Sequence, residues 1–156
     1  MYYYIGIDVS KKALAVFDGK KDLAFDNKEN LGSFYKYLKK RYPDFSSLVI
    51  LFEATGIYSF YLKAFCASHH IKAYMINPQT SHNFSKSLGK RSKTDTTDAR
   101  TIWEYHKLIG DKDISIPRVD REIMTLSSYL ASYRLTLKQR LALSNYLEGI
   151  KDKILY

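Results

Sequence analysis

Short β-forming runs open the chain. YYIGIDV at positions 3–9 ends in a polar Ser-Lys-Lys turn, ALAVFD at 13–18 runs into Gly19-Lys20, and DLAFDN follows. Three runs of this length joined by tight polar turns predict three strands in a meander. From 28 to 42, Leu31, Phe34, Tyr35 and Leu38 recur at helical spacing until Pro43 stops the pattern, which predicts an amphipathic helix. LVILF at 48–52 is a continuous apolar run closed by Glu53, the kind of strand that is covered on both faces of a parallel or mixed sheet. After Thr55-Gly56 a helical stretch reaches about His70, KAYMINP gives another strand stopped by Pro78, and a loop reading NPQTSHNFSKSLGKRSKT leads to a helix that begins near Thr94.

A second region follows the segment from Gly110 to Pro117. Leu126, Leu130, Tyr133, Leu137, Leu141 and Leu147 recur at three- and four-residue steps with Lys and Arg between them, predicting an amphipathic helix over 121–155, roughly 50 Å long at the usual rise per residue. Its apolar seam needs a partner: the preceding domain, a second copy, or a segment beyond this chain. The order β-β-β-α-β-α-β-α is the layout of the ribonuclease H-like α/β fold, a mixed sheet flanked by helices in which the first strand sits beside the fourth. The expected organisation is a domain over 1–110, a linker over 111–120 and a helical, coiled-coil-like connector over 121–156.

With 156 residues, 46% hydrophobic and 26% charged, the chain can bury a real core. A formal net charge of +9 favours a polyanionic partner such as nucleic acid or an acidic membrane surface. Cys66 is the only cysteine, so no internal disulfide can form and a structural zinc site is disfavoured. MYYYIGID lacks the basic start and apolar run of a secretory signal, and no stretch approaches the roughly 20 apolar residues that span a bilayer. A cytoplasmic protein with no membrane partner is expected.

Four acids stand out. Asp8 interrupts an apolar β-forming stretch, where an unpaired buried charge is costly, although an edge strand facing water or a turn cap ahead of Ser10 would also accommodate it. Glu53 ends the apolar fourth strand. In KTDTTDA, Asp95 and Asp98 stand three residues apart, so they are neighbours on one helical face near a helix start. The layout brings Asp8, Glu53 and this helix start toward one end of the sheet. Carboxylates gathered there would repel unless hard divalent cations such as Mg2+ or Mn2+ neutralised them, and two such ions would suit phosphodiester chemistry.

Between Ala54 and Thr94 there is no Asp or Glu, against Lys63, Lys72, Lys86, Lys90, Arg91 and Lys93. The last four lead straight into Asp95 and could grip a nucleic-acid backbone without reading its sequence; a solvated loop is the plainer alternative. His69, His70, His82 and His106 show no metal-ligand spacing. Tyr58 and Tyr61 could stack on bases or simply pack along a helix. Ser10 has no recognisable base beside it to make it a nucleophile.

GIDVSK at 6–11, EATGIY at 53–58, INP at 76–78 and KTDTTDA at 93–99, in this order and at these distances, resemble the N-terminal domain of the DEDD-type insertion-sequence transposases and recombinases. The resemblance implies a RuvC-like, ribonuclease H-like domain whose acidic tetrad is Asp8, Glu53, Asp95 and Asp98, with divalent metal between them. It implies a DNA partner cut and joined as a mobile element moves and, for at least some members, a structured guide RNA held partly by this domain. The Leu-rich helix resembles the family's coiled-coil connector and implies a homo-oligomer. Family members carry a further C-terminal domain with a serine thought to be the nucleophile; this sequence ends at Tyr156 before such a region, so the chain is expected to be part of the enzyme. The competing expectation is a non-catalytic nucleic-acid-binding and dimerisation module on the same fold.

Overall fold

The computed structural model describes residues 2–54, 56–88 and 95–154, leaving aside the side chains of 95–97, 121, 124 and 151–154. Strands β1 (Tyr3–Val9), β2 (Ala13–Phe17) and β3 (Asp22–Asp26) form the meander; α1 (Gly32–Arg41), β4 (Leu48–Glu53), α2 (Phe60–Ser68) and β5 (Lys72–Ile76) follow. Then come α3 (Pro78–Ser87), α4 (Asp95–Glu104) and α5 (Arg121–Ile154). The five strands pair in the order β3-β2-β1-β4-β5. β1 is antiparallel to β2 and parallel to β4, and β5 continues parallel beyond β4. This is the ribonuclease H-like arrangement, with the first strand central beside the fourth.

Alternation along the strands loads both faces of the sheet. Ile5, Ile7 and Val9 of β1 with Leu14 and Val16 of β2 face one way, against Phe34 and Leu38 of α1 and Leu62, Phe65 and Cys66 of α2. Val49, Leu51 and Ile76 face the other way, against Ile102 of α4 with Tyr4, Tyr74 and Tyr105 packed around them. All five apolar residues of β4 are buried, which is why its sequence runs apolar without a break.

Two local differences from the sequence expectations have clear causes. The first helix begins at Gly32 rather than near Lys28, because residues 28–31 close a turn through Leu31 N–H donating to the Lys28 carbonyl, with Leu31 at φ 40°. The stretch read as a loop from Asn77 is helical over Pro78–Ser87. Asn77 caps it by accepting from the Gln79 amide at 2.9 Å, and Pro78 occupies the first turn, where a missing N–H costs nothing.

The chain divides into two compact units, Met1–Val119 and Asp120–Tyr156. In the first, Ser115 and Ala73 exchange backbone hydrogen bonds, tying the segment after α4 to the outer edge of β5. The second holds α5, a 34-residue helix whose Leu126, Leu130, Tyr133, Leu137 and Leu141 are exposed along one strip. No helix among the described residues is long and apolar enough to cross a membrane.

At the end of the sheet where β1 begins, a buried carboxylate fastens the β2–β3 turn to α1. Asp18 accepts from the Lys20 and Lys21 amides at 2.9 and 2.8 Å and from the Tyr37 hydroxyl at 2.6 Å, and pairs with Arg41 Nε at 3.2 Å. Burial pushes its carboxyl upward, but the Tyr37 hydroxyl, the two amides and the Arg41 guanidinium outweigh it and hold Asp18 below the ordinary value of 3.8. The same burial and the facing carboxylate push the Tyr37 phenol up. A folded-state value below the unfolded one means that Asp18 contributes its full stabilisation above the ordinary carboxylate range and loses it as pH falls through the lowered value. Asp18→Asn should therefore cost about 1–3 kcal/mol at neutral pH, and its deficit relative to wild type should shrink on acidification below about pH 4. Urea denaturation at a series of pH values measures both; a deficit constant with pH would contradict this account.

Candidate functional site

The parallel register of β1 and β4 places Ile7 opposite Phe52, so the next step sets Asp8 beside Glu53 at the carboxyl ends of the two central strands. The third acid comes from α4, which lies across β1, β2 and β4. Its closeness to β1 rests on Gly6: a methyl group there would lie 2.5 Å from the Trp103 amide nitrogen and 2.7 Å from its Cβ. A glycine inside a central strand marks such a close backbone approach. Trp103 then reaches past Gly6, donating from Nε1 to the Tyr4 carbonyl at 3.0 Å and packing edge-on against Phe17 at 5.4 Å. Arg100, one turn earlier, bonds Asp22 through Nε at 2.8 Å and through its terminal nitrogen, tying α4 to the start of β3.

Held in this way, Asp98 joins Asp8 and Glu53 in the wall of one cleft of about 270 Å3. All three are half-buried. α3 supplies the opposite wall through Pro78, Ser81, His82 and Ser85, and α4 adds Thr101 and Ile102. The α3 residues stand at steps of three, four and seven, one helical face turned to the cleft. Reading this segment as a loop hid Ser81, His82 and Ser85; the Asn77-Pro78 helix start was the signal that could have revealed them.

Asp95 opens α4 one turn before Asp98, but its side chain lies outside the described residues. Lys86 sits in the last turn of α3 and is exposed, whereas Lys90, Arg91 and Lys93 lie outside the described residues. Among the described residues no three His, Cys, Asp or Glu side chains form a group arranged to hold a metal ion. The donors lining the cleft, carboxylates beside serine and threonine hydroxyls, are hard oxygens of the kind that suit Mg2+ or Mn2+, ions that commonly take only one or two protein carboxylates and keep waters for the rest.

The loops around the carboxylate end are stapled by Asn27. Its Nδ2 donates to the Ser10 carbonyl at 2.8 Å and to the Tyr58 carbonyl at 3.0 Å, joining the β1–β2 turn to the turn that follows Glu53. Ile57 and Tyr58 on that turn are 60% and 40% exposed, so Tyr58 is not a packing residue of the core.

A mixed sheet in the order β3-β2-β1-β4-β5, its first strand central beside the fourth and helices on both faces, is the ribonuclease H-like fold. A profile of the DEDD transposases of the IS110 type, described as "Transposase", matches residues 5–154, and the chain belongs to that family. It is also similar to the pilin gene-inverting proteins of Moraxella bovis and Moraxella lacunata, each 33% identical over 128 residues, covering 77% of this chain. The match covers 38% of each of those relatives.

Because α4 meets β1 through backbone at Gly6, Gly6→Val should cost about 1–3 kcal/mol through overpacking and lower the melting temperature by several degrees. Gly32→Ala, where an added methyl meets nothing within 4 Å, should melt within a degree or two of wild type or slightly above it. Thermal denaturation followed by circular dichroism compares the two; equal melting temperatures would show that the Gly6 contact does not hold α4 in place.

Proposed function

We propose that this chain supplies the metal-dependent catalytic domain of a DNA transposase or recombinase, with Asp8, Glu53, Asp95 and Asp98 as the acids that hold Mg2+ or Mn2+. The observation that carries this reading is the meeting of Asp8, Glu53 and Asp98 in one cleft although they come from three separate elements. When bound, the ion would activate a nucleophile and steady the leaving oxygen of a phosphodiester. The chain's own contribution is to fix the acids: β1 and β4 by their parallel register, and α4 by the Gly6 contact and the Arg100–Asp22 pair. Ser81, His82 and Ser85 of α3 limit the cleft on its other side and offer hydrogen-bonding groups to a phosphate backbone.

DNA is the proposed substrate, carried by membership of a transposase family, by the net charge of +9 and by the basic residues Lys86, Lys90, Arg91 and Lys93, which lead into Asp95 in the sequence. A structured guide RNA would meet the same basic segment. The exposed apolar strip of α5 is the proposed contact for a second copy of the chain. The relatives are gene-inverting proteins of more than twice the matched length, so strand exchange by the whole enzyme would draw on parts beyond this domain.

Titration of Mg2+ and Mn2+ by calorimetry should show saturable binding to the wild-type chain, weakened about tenfold or more by Asp8→Asn and by Asp98→Asn, with unchanged circular dichroism confirming that the variants fold. No binding at millimolar metal, with Asp8→Asn behaving as wild type, would leave the alternative of a non-catalytic nucleic-acid-binding and dimerisation module. Affinity for duplex DNA should fall steeply with salt, and changing Lys86, Lys90, Arg91 and Lys93 together to Ala should flatten the log–log slope by about four. A slope unchanged in that variant would remove this segment from the interface.

A further inference from the structure

The ladder between the two central strands sets Asp8 and Glu53 side by side but stops one residue short of them, its last registered pair being Ile7 with Phe52. Beyond that pair each acid is held on its outer side: Asp8 is registered with Ala15 of β2, and Glu53 with Ile76 of β5. Two carboxylates on adjacent strand ends repel one another, and the repulsion acts to part the tips of β1 and β4 where their own pairing has ended. Their spacing there needs a further restraint.

Asn27 is placed to supply it. It follows the end of β3, is only 7% exposed, and donates its backbone N–H to the Lys12 carbonyl at 2.9 Å. One side-chain amide nitrogen carries two N–H donors, and here each goes to a different strand end. Nδ2 reaches the Ser10 carbonyl, two residues beyond Asp8, at 2.8 Å, and the Tyr58 carbonyl, five beyond Glu53, at 3.0 Å. Oδ1 has no hydrogen-bond partner among the described residues, so the bonding of this side chain is given wholly to the bridge.

Both turns that it joins are stiff in themselves. Ser10 closes the β1–β2 turn, its amide donating to the Ala13 carbonyl at 2.9 Å and its hydroxyl accepting from the Ala13 amide at 3.1 Å. On the other side Ser59 is fully buried and donates from its hydroxyl to the Gly56 carbonyl at 3.1 Å, while the Ala54 amide donates to the Ile76 carbonyl at 3.1 Å. A bond between two stiff turns acts on the residues at their bases, Asp8 and Glu53.

We infer that Asn27 is a positioning residue: by bridging the Ser10 and Tyr58 carbonyls it holds Asp8 and Glu53 at the spacing of a small, closely coordinated cation. The inference rests on the metal site of the proposed function and gives Asn27 no contact with metal or substrate. Mg2+ takes oxygens at about 2.0–2.1 Å in a demanding octahedral geometry, whereas Ca2+ accepts about 2.3–2.6 Å in looser ones. A site that widens when the bridge is cut therefore loses Mg2+ before it loses Ca2+, a change that a general loss of stability does not produce.

Calorimetric titration of the full chain with Mg2+ and with Ca2+ compares wild type with three variants: Asn27→Ala, Asn27→Leu, which fills the space without donors, and Asp18→Asn, which weakens the fold at the other end of the sheet. Circular dichroism at the titration temperature confirms that each is folded. Both Asn27 variants should bind Mg2+ about tenfold or more weakly with Ca2+ affinity changed much less, and Asp18→Asn should bind both ions as wild type does. Without metal, amide exchange followed by NMR should quicken at Ser10, Ala13 and Ala54 in the Asn27 variants and keep wild-type rates at Lys20 and Lys21, the amides that Asp18 holds. Wild-type Mg2+ affinity in both Asn27 variants, equal losses for the two ions, or the same loss in Asp18→Asn would overturn the proposal. A wild-type chain that binds neither ion would sink the proposed function instead; the exchange rates then decide alone, and unchanged rates at Ser10 and Ala54 would overturn the bridge.

Discussion

Contact between helix α4 and the glycine of the central strand decides whether the third acid, Asp98, meets the two that the sheet already holds together. Asp8 and Glu53 are placed by the register of β1 and β4, a feature of the sheet alone. Asp98 is placed by a helix, and a helix stands off a sheet by the size of the side chains between them. With no side chain at Gly6, the backbone of α4 settles on β1 and Asp98 reaches the same cleft as the other two acids. Trp103 and Arg100 then fix the helix along its length, one bonded to the Tyr4 carbonyl and the other to Asp22. A bulkier residue at position 6 would move a carboxylate that lies more than ninety residues away in sequence.

The strands were legible because their chemistry is local. Apolar runs between polar turns marked β1 to β5, and the unbroken run in β4 correctly indicated a strand covered on both faces. From the strand order alone, the side-by-side placement of Asp8 and Glu53 followed. The helix α3 was not legible by periodicity, because its cleft-facing side is made of Ser81, His82 and Ser85 and its core contacts are few. Its start was written in Asn77-Pro78, a cap followed by a residue that tolerates only the first turn. Gly6 was read as part of a motif, while its steric role required knowing which helix crosses it.

Asp18 shows the same dependence on tertiary context. In sequence it is a turn residue before Gly19-Lys20, indistinguishable from a solvated aspartate. In the fold it is buried, and four donors from the turn and from α1 surround it. That network orders the end of the sheet opposite the cleft and sets Arg41 beside Tyr3 and Tyr42. The two ends of β1 thus differ in kind, three carboxylates sharing a cleft at one and a single buried, paired carboxylate at the other, on a strand only seven residues long.

The central claim is that acids from β1, β4 and α4 share one divalent ion site. Anomalous scattering from a crystal of this chain grown with Mn2+ tests it most directly, because the metal itself reports its position. The account predicts a peak between Asp8, Glu53 and Asp98, lost when Asp8 is replaced by Asn. A peak elsewhere on the molecule, or saturating manganese with none in the cleft, would contradict it.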